Sequence, residues 1–170
     1  MMPDPSVAVD DVAWDALRRA AREACGRAYA PYSQFPVGAA ALVDDGRIIA
    51  GCNVENSSYG VGLCAECGLV SALVGGGGGR LLALVCVDAT GGPLMPCGRC
   101  RQLLAEHAAP GMQVASAGGP VTMAELLPLA FGRADLDRVA AAGADPSDTA
   151  ALHRAVAAPS PHAFDPEDLR

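Results

Sequence analysis

The sequence predicts an α/β fold, a mixed sheet with helices packed on its faces. Three observations carry the expectation. Apolar residues recur at helical spacing between Trp14 and Ala28. Two apolar segments flank Asp44-Asp45-Gly46, a hairpin signal. Beyond residue 60, segments of helix and strand character alternate.

Taken in order, Asp10 or Asp11 can cap a helix running to about residue 29, with Trp14, Leu17, Ala21, Cys25 and Ala28 on one stripe and Arg18, Arg19 and Arg22 off it. Pro31 ends it. Residues 37–43 and 47–53 read as the two strands of the hairpin. Glu55-Asn56-Ser57-Ser58-Tyr59-Gly60 is polar and reads as a loop. Residues 65–74 read as a helix, ended by the five glycines Gly75 to Gly79. That run lacks G-K-[ST] and opens no helix, so it reads as a flexible connector rather than a phosphate loop. Residues 81–87 form a continuous apolar run, the pattern of a strand buried on both faces. A loop over 90–96 leads to a helix over 98–107, stopped by Pro110-Gly111. A short strand over 112–115 follows, and Thr122 can cap a short helix through residue 127.

The character then changes. From residue 134 to 170 there are seven acidic residues against three arginines, with Pro146, Pro159, Pro161 and Pro166 as punctuation. The division expected is an N-terminal segment over 1–10, a folded domain over 11–133, and an acidic extension over 134–170 that packs loosely, with a short helix over 148–156.

Composition excludes several classes of function. The chain has 170 residues, 51% of them hydrophobic, enough for one domain with a real core. Net charge is −7 and all twelve basic residues are arginine, with no basic cluster, so a nucleic-acid partner is not expected. No apolar run is of membrane-spanning length, so no membrane partner is expected either. Residues 1–10 show no basic region followed by an apolar stretch, so no secretory signal is expected. Seven cysteines without such a signal suggest a reducing compartment, by default the cytoplasm, where metal binding or catalysis outweighs disulfides.

Two short segments concentrate the chemistry: Cys64-Ala65-Glu66 and Pro96-Cys97-Gly98-Arg99-Cys100. Cys64 opens one expected helix, and Cys97 and Cys100 open another. Helix N-termini carry unpaired N–H groups and partial positive charge, which stabilise thiolates. Three thiolates on one zinc leave a fourth position open for water, and Glu66 lies where a carboxylate can move protons. This matches the zinc deaminase pattern of cysteine ligation, a non-ligating glutamate and Pro-Cys-x-x-Cys. Cys67, however, completes a second C-x-x-C pair. Taken alone, the cysteines fit a closed four-thiolate structural site equally well. Cys25, Cys52 and Cys86 read as small core residues. His107 near a helix end suits the dipole there.

The surrounding blocks separate the two readings. Tyr29-Ala30-Pro31-Tyr32-Ser33-Gln34-Phe35-Pro36-Val37-Gly38-Ala39-Ala40, then Gly51-Cys52-Asn53-Val54-Glu55-Asn56-Ser57-Ser58-Tyr59-Gly60, then Cys64-Ala65-Glu66, then Pro96-Cys97-Gly98-Arg99-Cys100-Arg101-Gln102 stand in order along the chain. Together they resemble the small homotetrameric zinc-dependent cytidine deaminases, over residues 14–131. The resemblance implies a three-layer α/β/α sandwich with a mixed five-stranded sheet. It implies hydrolysis of cytidine and deoxycytidine in pyrimidine salvage. Cys64, Cys97 and Cys100 are then the Zn²⁺ ligands and Glu66 the proton shuttle. Asn53 and Glu55 match residues that bind the ribose hydroxyls, Phe35 an aromatic packed on the pyrimidine, and Ala65 a backbone contact to the base. Tyr59 and Phe131 match residues lining a neighbouring subunit's site, so a homotetramer with shared sites is implied. Cys67 departs from the pattern, since many relatives carry an arginine there that donates to the ligand thiolates. Cys67 is expected not to ligate, and Arg99 or Arg101 could supply the missing charge. A rival of the same fold would act on a blasticidin-type aminopyrimidine nucleoside; Asn53 and Glu55 favour an ordinary nucleoside with a sugar diol.

Overall fold

The computed structural model describes residues 9–141. The chain divides into two units, residues 1–130 and 131–170.

In the first unit, helix α1 spans Asp11–Cys25. The Asp10 side chain accepts the Ala13 N–H at 2.7 Å and caps it. The helix stops about a turn earlier than its apolar spacing suggests. Gly26 takes the C-cap, its N–H bonded to carbonyls of the last turn. The chain then leaves the helix axis to pair Tyr29 with Val54. Strands β1 (Val37–Val43) and β2 (Ile48–Cys52) form the expected antiparallel hairpin, and Gly46 takes the left-handed turn position at φ +88°. Helix α2 spans Ala65–Gly75, β3 Leu81–Asp88, α3 Gly98–His107, β4 Ala108–Val114, β5 Val121–Thr122 and α4 Met123–Leu126. The sheet order is β2-β1-β3-β4-β5, with β3 and β4 parallel and the other pairs antiparallel.

The mixed five-stranded sheet separates two apolar layers. Ala40, Ala83, Val85 and Val87 point at Trp14, Leu17, Ala21 and Cys25 of α1. The alternate positions Ala39, Ala41, Val43, Leu84 and Cys86 point the other way, at Leu69, Leu73, Leu104 and Met123 of α2, α3 and α4. The period of two along each strand thus creates the three layers. Leu17, Leu69, Leu73, Leu84 and Leu104 are completely buried, each stabilising the fold by about 1.5–3 kcal/mol.

Close approach fixes the helices. A Cβ on Gly51 would overlap the Ala65 carbonyl oxygen and the Leu69 nitrogen, so β2 presses directly on the first turns of α2. A Cβ on Gly38 would overlap the Ala21 carbonyl oxygen in the same way on the α1 side.

Three local expectations change. Pro110-Gly111 does not stop α3, which ends at His107 and runs straight into β4. The pair sits where the β3–β4 register jumps between Leu81 and Ala83, with Gly111 at φ +76°. A bulge releases the proline from donating to the ladder. The two-residue β5 was too short to register as a strand in the sequence, although the Thr122 cap beside it forms a full capping box with Glu125. The glycine run is anchored: Arg47 donates to the Gly76 carbonyl at 2.8 Å and the Gly78 carbonyl at 2.7 Å.

In the second unit, helix α5 covers Arg133–Ala141, with Asp135 accepting the Gly132 N–H and Arg133 paired to Asp137. The expected helix over 148–156 lies outside the described residues. No helix among the described residues is long and apolar enough to cross a membrane.

Candidate active site

Two helix N-termini meet at the sheet's α2–α3 face. Cys64 is the N-cap of α2, Cys97 the N-cap of α3, and Cys100 lies in the first turn of α3. Their three sulfur atoms all lie within 4.8 Å of one another, and Cys64 Sγ is 4.0 Å from Cys97 Sγ. Zinc–sulfur bonds of about 2.3 Å at tetrahedral angles place sulfurs about 3.8 Å apart. The thiols are therefore spaced for one zinc ion. Cys67 does not belong to that cluster. The reason is helical phase. On α3 the N-cap and the third helical residue face the site, whereas α2 is turned so that Glu66, its second residue, does. A closed four-thiolate site needs Cys67, and the cluster lacks it.

Glu66 is only 4% exposed and is the buried charged side chain among the described residues. The Cys86 thiol, from the middle of β3, donates to its Oε1 at 3.7 Å. Burial raises the Cys86 thiol well above its ordinary value, with the Glu66 charge adding to the effect. Burial likewise raises Cys64, and burial followed by the Glu66 charge raises Cys100. Cys97 is lowered, chiefly by the Cys100 backbone N–H at the head of α3. Arg101 is committed elsewhere, donating to the Pro96 carbonyl at 2.8 Å and the Leu126 carbonyl at 3.1 Å. It braces the loop that delivers Cys97 rather than facing a thiolate.

These groups open into a cavity of about 640 Å³, whose lining includes Cys64, Ala65, Glu66 and Cys97 together with Phe35, Asn53, Glu55 and Tyr59. Asn53 holds the rim from two sides. Its Oδ1 accepts the Val37 N–H at 2.8 Å and its Nδ2 donates to the Phe35 carbonyl at 3.0 Å. Glu55 Oε2 accepts the Tyr32 and Ser33 N–H groups at 2.9 and 3.1 Å. The Ser33 side chain, then the two backbone N–H groups, hold its carboxyl below the usual range. Phe35 is 49% exposed along this wall, and Tyr59 stands edge-on to Tyr32 with ring centres 6.1 Å apart. Phe131 belongs to the second unit.

Every other site residue expected from the sequence thus shares one cavity or its thiol cluster. Cys86 and Ser33 are added by the structure, and Arg99, expected as one source of the missing charge, lines the cavity. Cys86 was legible only as core, although the strand period that buries it also aims it at α2. Ser33 stood inside the first of the sequence blocks without a signal of its own; it lines the cavity.

A thiol cluster for one metal, with a buried carboxylate beside it and a cavity in front, defines a metal-dependent hydrolytic site. Comparison with known proteins gives the class a narrower identity. Residues 14–116 match the family model of the cytidine and deoxycytidylate deaminase zinc-binding region. The cytidine deaminase of Mycobacterium tuberculosis (strain ATCC 25618 / H37Rv) is 59% identical over 128 residues, 75% of this chain and 96% of that one. That of Sporosarcina psychrophila is 44% identical over 124 residues, 70% of this chain and 91% of that one. The crystal structure of cytidine deaminase from Mycobacterium tuberculosis superposes with a TM-score of 0.69 at 58% identity, covering 72% of this chain and 99% of that one. The Mycobacterium leprae enzyme gives 0.67 at 59% identity, covering 69% and 99%. The chain belongs to the zinc-dependent cytidine deaminase family.

Proposed function

We propose that this chain hydrolyses cytidine and deoxycytidine to uridine and deoxyuridine, releasing ammonia, as a step of pyrimidine salvage in the cytoplasm. The observation that carries the reading is the shared cavity: Glu66 and the Cys64–Cys97–Cys100 cluster at its floor, Asn53, Glu55 and Phe35 on its wall.

Cys64, Cys97 and Cys100 hold the zinc. When bound, zinc supplies Lewis-acid activation of a water. Glu66, buried and fixed by the Cys86 thiol, takes a proton from the attacking water and passes it to ring N3. The water oxygen bonds to C4. Glu66 then carries the second water proton to the departing amine as the C4–N bond breaks, so the ring gains C4=O and N3–H and ammonia leaves. Phe35 packs on the pyrimidine, the Ala65 backbone contacts the base, and Asn53 and Glu55 bind the sugar hydroxyls. A carboxylate and an amide suit a diol and would be poorly matched without one.

The catalytic domain is residues 11–133, with 134–170 as an acidic extension. Exposed Tyr59, at 81%, supports a homotetramer in which Tyr59 and Phe131 line a neighbouring subunit's site. The test of the mechanism is Glu66→Gln, which keeps zinc at one per chain and abolishes turnover. Retained turnover in the zinc-loaded variant would contradict it.

A further inference from the structure

We propose that Cys86 is a positioning residue that pins one oxygen of the Glu66 carboxylate, Oε1, and thereby leaves the other, Oε2, as the oxygen that carries the protons. The proposal rests on the reading that Glu66 is the proton shuttle.

Cys86 is a rigid donor. It lies in β3, the central strand of the five, where it pairs with Ala39 of β1. Its carbonyl accepts the Leu94 N–H at 2.9 Å. The backbone is thus held on both edges, the side chain is completely buried, and a single torsion places the sulfur. The thiol donates to Glu66 Oε1 at 3.7 Å. It does so from behind, since Glu66 lines the cavity and Cys86 does not. An ionised sulfur here would set two like charges together inside an apolar layer, so the thiol keeps its proton. The Cys100 thiol also stands near the carboxylate. As a metal ligand, however, Cys100 is a thiolate with no proton to donate.

The two oxygens of Glu66 differ. Oε1 has the Cys86 thiol, whereas no hydrogen bond to Oε2 forms among the described residues. None of the fully buried side-chain oxygens among those residues lacks a partner. Oε2 therefore reaches the cavity, in the company of Cys64 and Cys97. The last torsion of a glutamate is soft and roughly two-fold, so an untethered carboxylate tilts and exchanges its oxygens. A donor fixed in the central strand removes that freedom. It sets the plane of the carboxylate, and catalysis depends steeply on such alignment.

The experiment is steady-state deamination of cytidine by full-length, zinc-loaded protein, with zinc content and thermal melting on the same samples. Cys86→Ala and Cys86→Val bracket the cysteine in size and cannot donate. Both should lower kcat about tenfold, the low end for a hydrogen bond to a charged group because a thiol is a weak donor. KM should stay within about twofold, and zinc at one per chain. Cys86→Ser keeps a donor and should return kcat to within about threefold of the unsubstituted protein. Serine is the variant least suited to an apolar layer, so a merely structural role would make it the worst of the three. A second readout needs no turnover. The infrared S–H stretch of Cys86, isolated by subtracting the spectrum of the matching Cys86→Val protein, should move to higher frequency when Glu66→Ala removes the acceptor. Equal loss in all three variants, loss in none, or an S–H band unmoved by Glu66→Ala overturns the role of Cys86 while leaving the proposed function standing. An unsubstituted, zinc-loaded protein that leaves cytidine unchanged removes the shuttle reading, and the proposal with it.

Discussion

Replacing Gly51 with alanine should damage the site without touching it. The added Cβ would overlap the Ala65 carbonyl oxygen and the Leu69 nitrogen, both backbone atoms that no rotamer change can remove. Ordinary contact begins at 3.4 Å, so α2 must back away from β2 by about 1 Å. That helix carries Cys64 at its N-cap and Glu66 in its first turn. A displacement of that size at a reacting centre costs on the order of 10²-fold in rate, and the overpacking itself costs about 1–3 kcal/mol of stability. Gly68 supplies the control. It lies on the same helix, yet a Cβ there would meet nothing nearer than the Cys52 carbonyl oxygen at 3.7 Å. Gly68→Ala should be neutral or stabilising by up to about 1 kcal/mol through helix propensity. The assay is cytidine deamination followed by ultraviolet absorbance, with thermal melting and zinc content on the same samples. A Gly51→Ala protein with wild-type kcat/KM would refute the argument that β2 sets the position of α2.

Zinc uptake by the metal-free protein should release protons. Cys64 and Cys100 have thiols raised by burial, so both are protonated at neutral pH and must ionise to ligate. Affinity should therefore rise with pH across the neutral range, and calorimetry in buffers of different ionisation enthalpy should count at least two protons, one from each raised thiol; pH-independent affinity would contradict this. Leu69→Ala, at a fully buried position on α2, should cost about 2–5 kcal/mol in denaturant unfolding. Arg47→Ala removes the donors to Gly76 and Gly78 and should raise hydrogen exchange around the glycine run while leaving turnover within about twofold.

The parts of the fold legible in the sequence are those where local signals and tertiary demands agree. Strand β1 and helix α3 begin and end where their patterns place them, and Thr122 caps the short helix that the sequence places after it. The misses arise where distant groups decide. Gly26 ends α1 because Tyr29 is drawn to Val54, and Pro110-Gly111 lies within β4 because a register jump against β3 accepts it. A glycine run reads as a loose connector until Arg47, about thirty residues earlier, is seen to hold it. The candidate site follows the same rule. The thiols sit at helix starts that the sequence marks, but whether Cys67 joins them depends on the rotation of α2 about its axis, which no spacing reveals. The grip of Asn53 and Glu55 on the Phe35 loop links residues about twenty apart and became visible only in three dimensions.

The most direct test of the functional claim is incubation of the zinc-assayed, full-length protein with cytidine and deoxycytidine while absorbance and ammonia are measured. The account predicts conversion of both to their uracil nucleosides, with one ammonia released per nucleoside and loss of activity on zinc chelation. A protein holding one zinc per chain that leaves both nucleosides unchanged would contradict it.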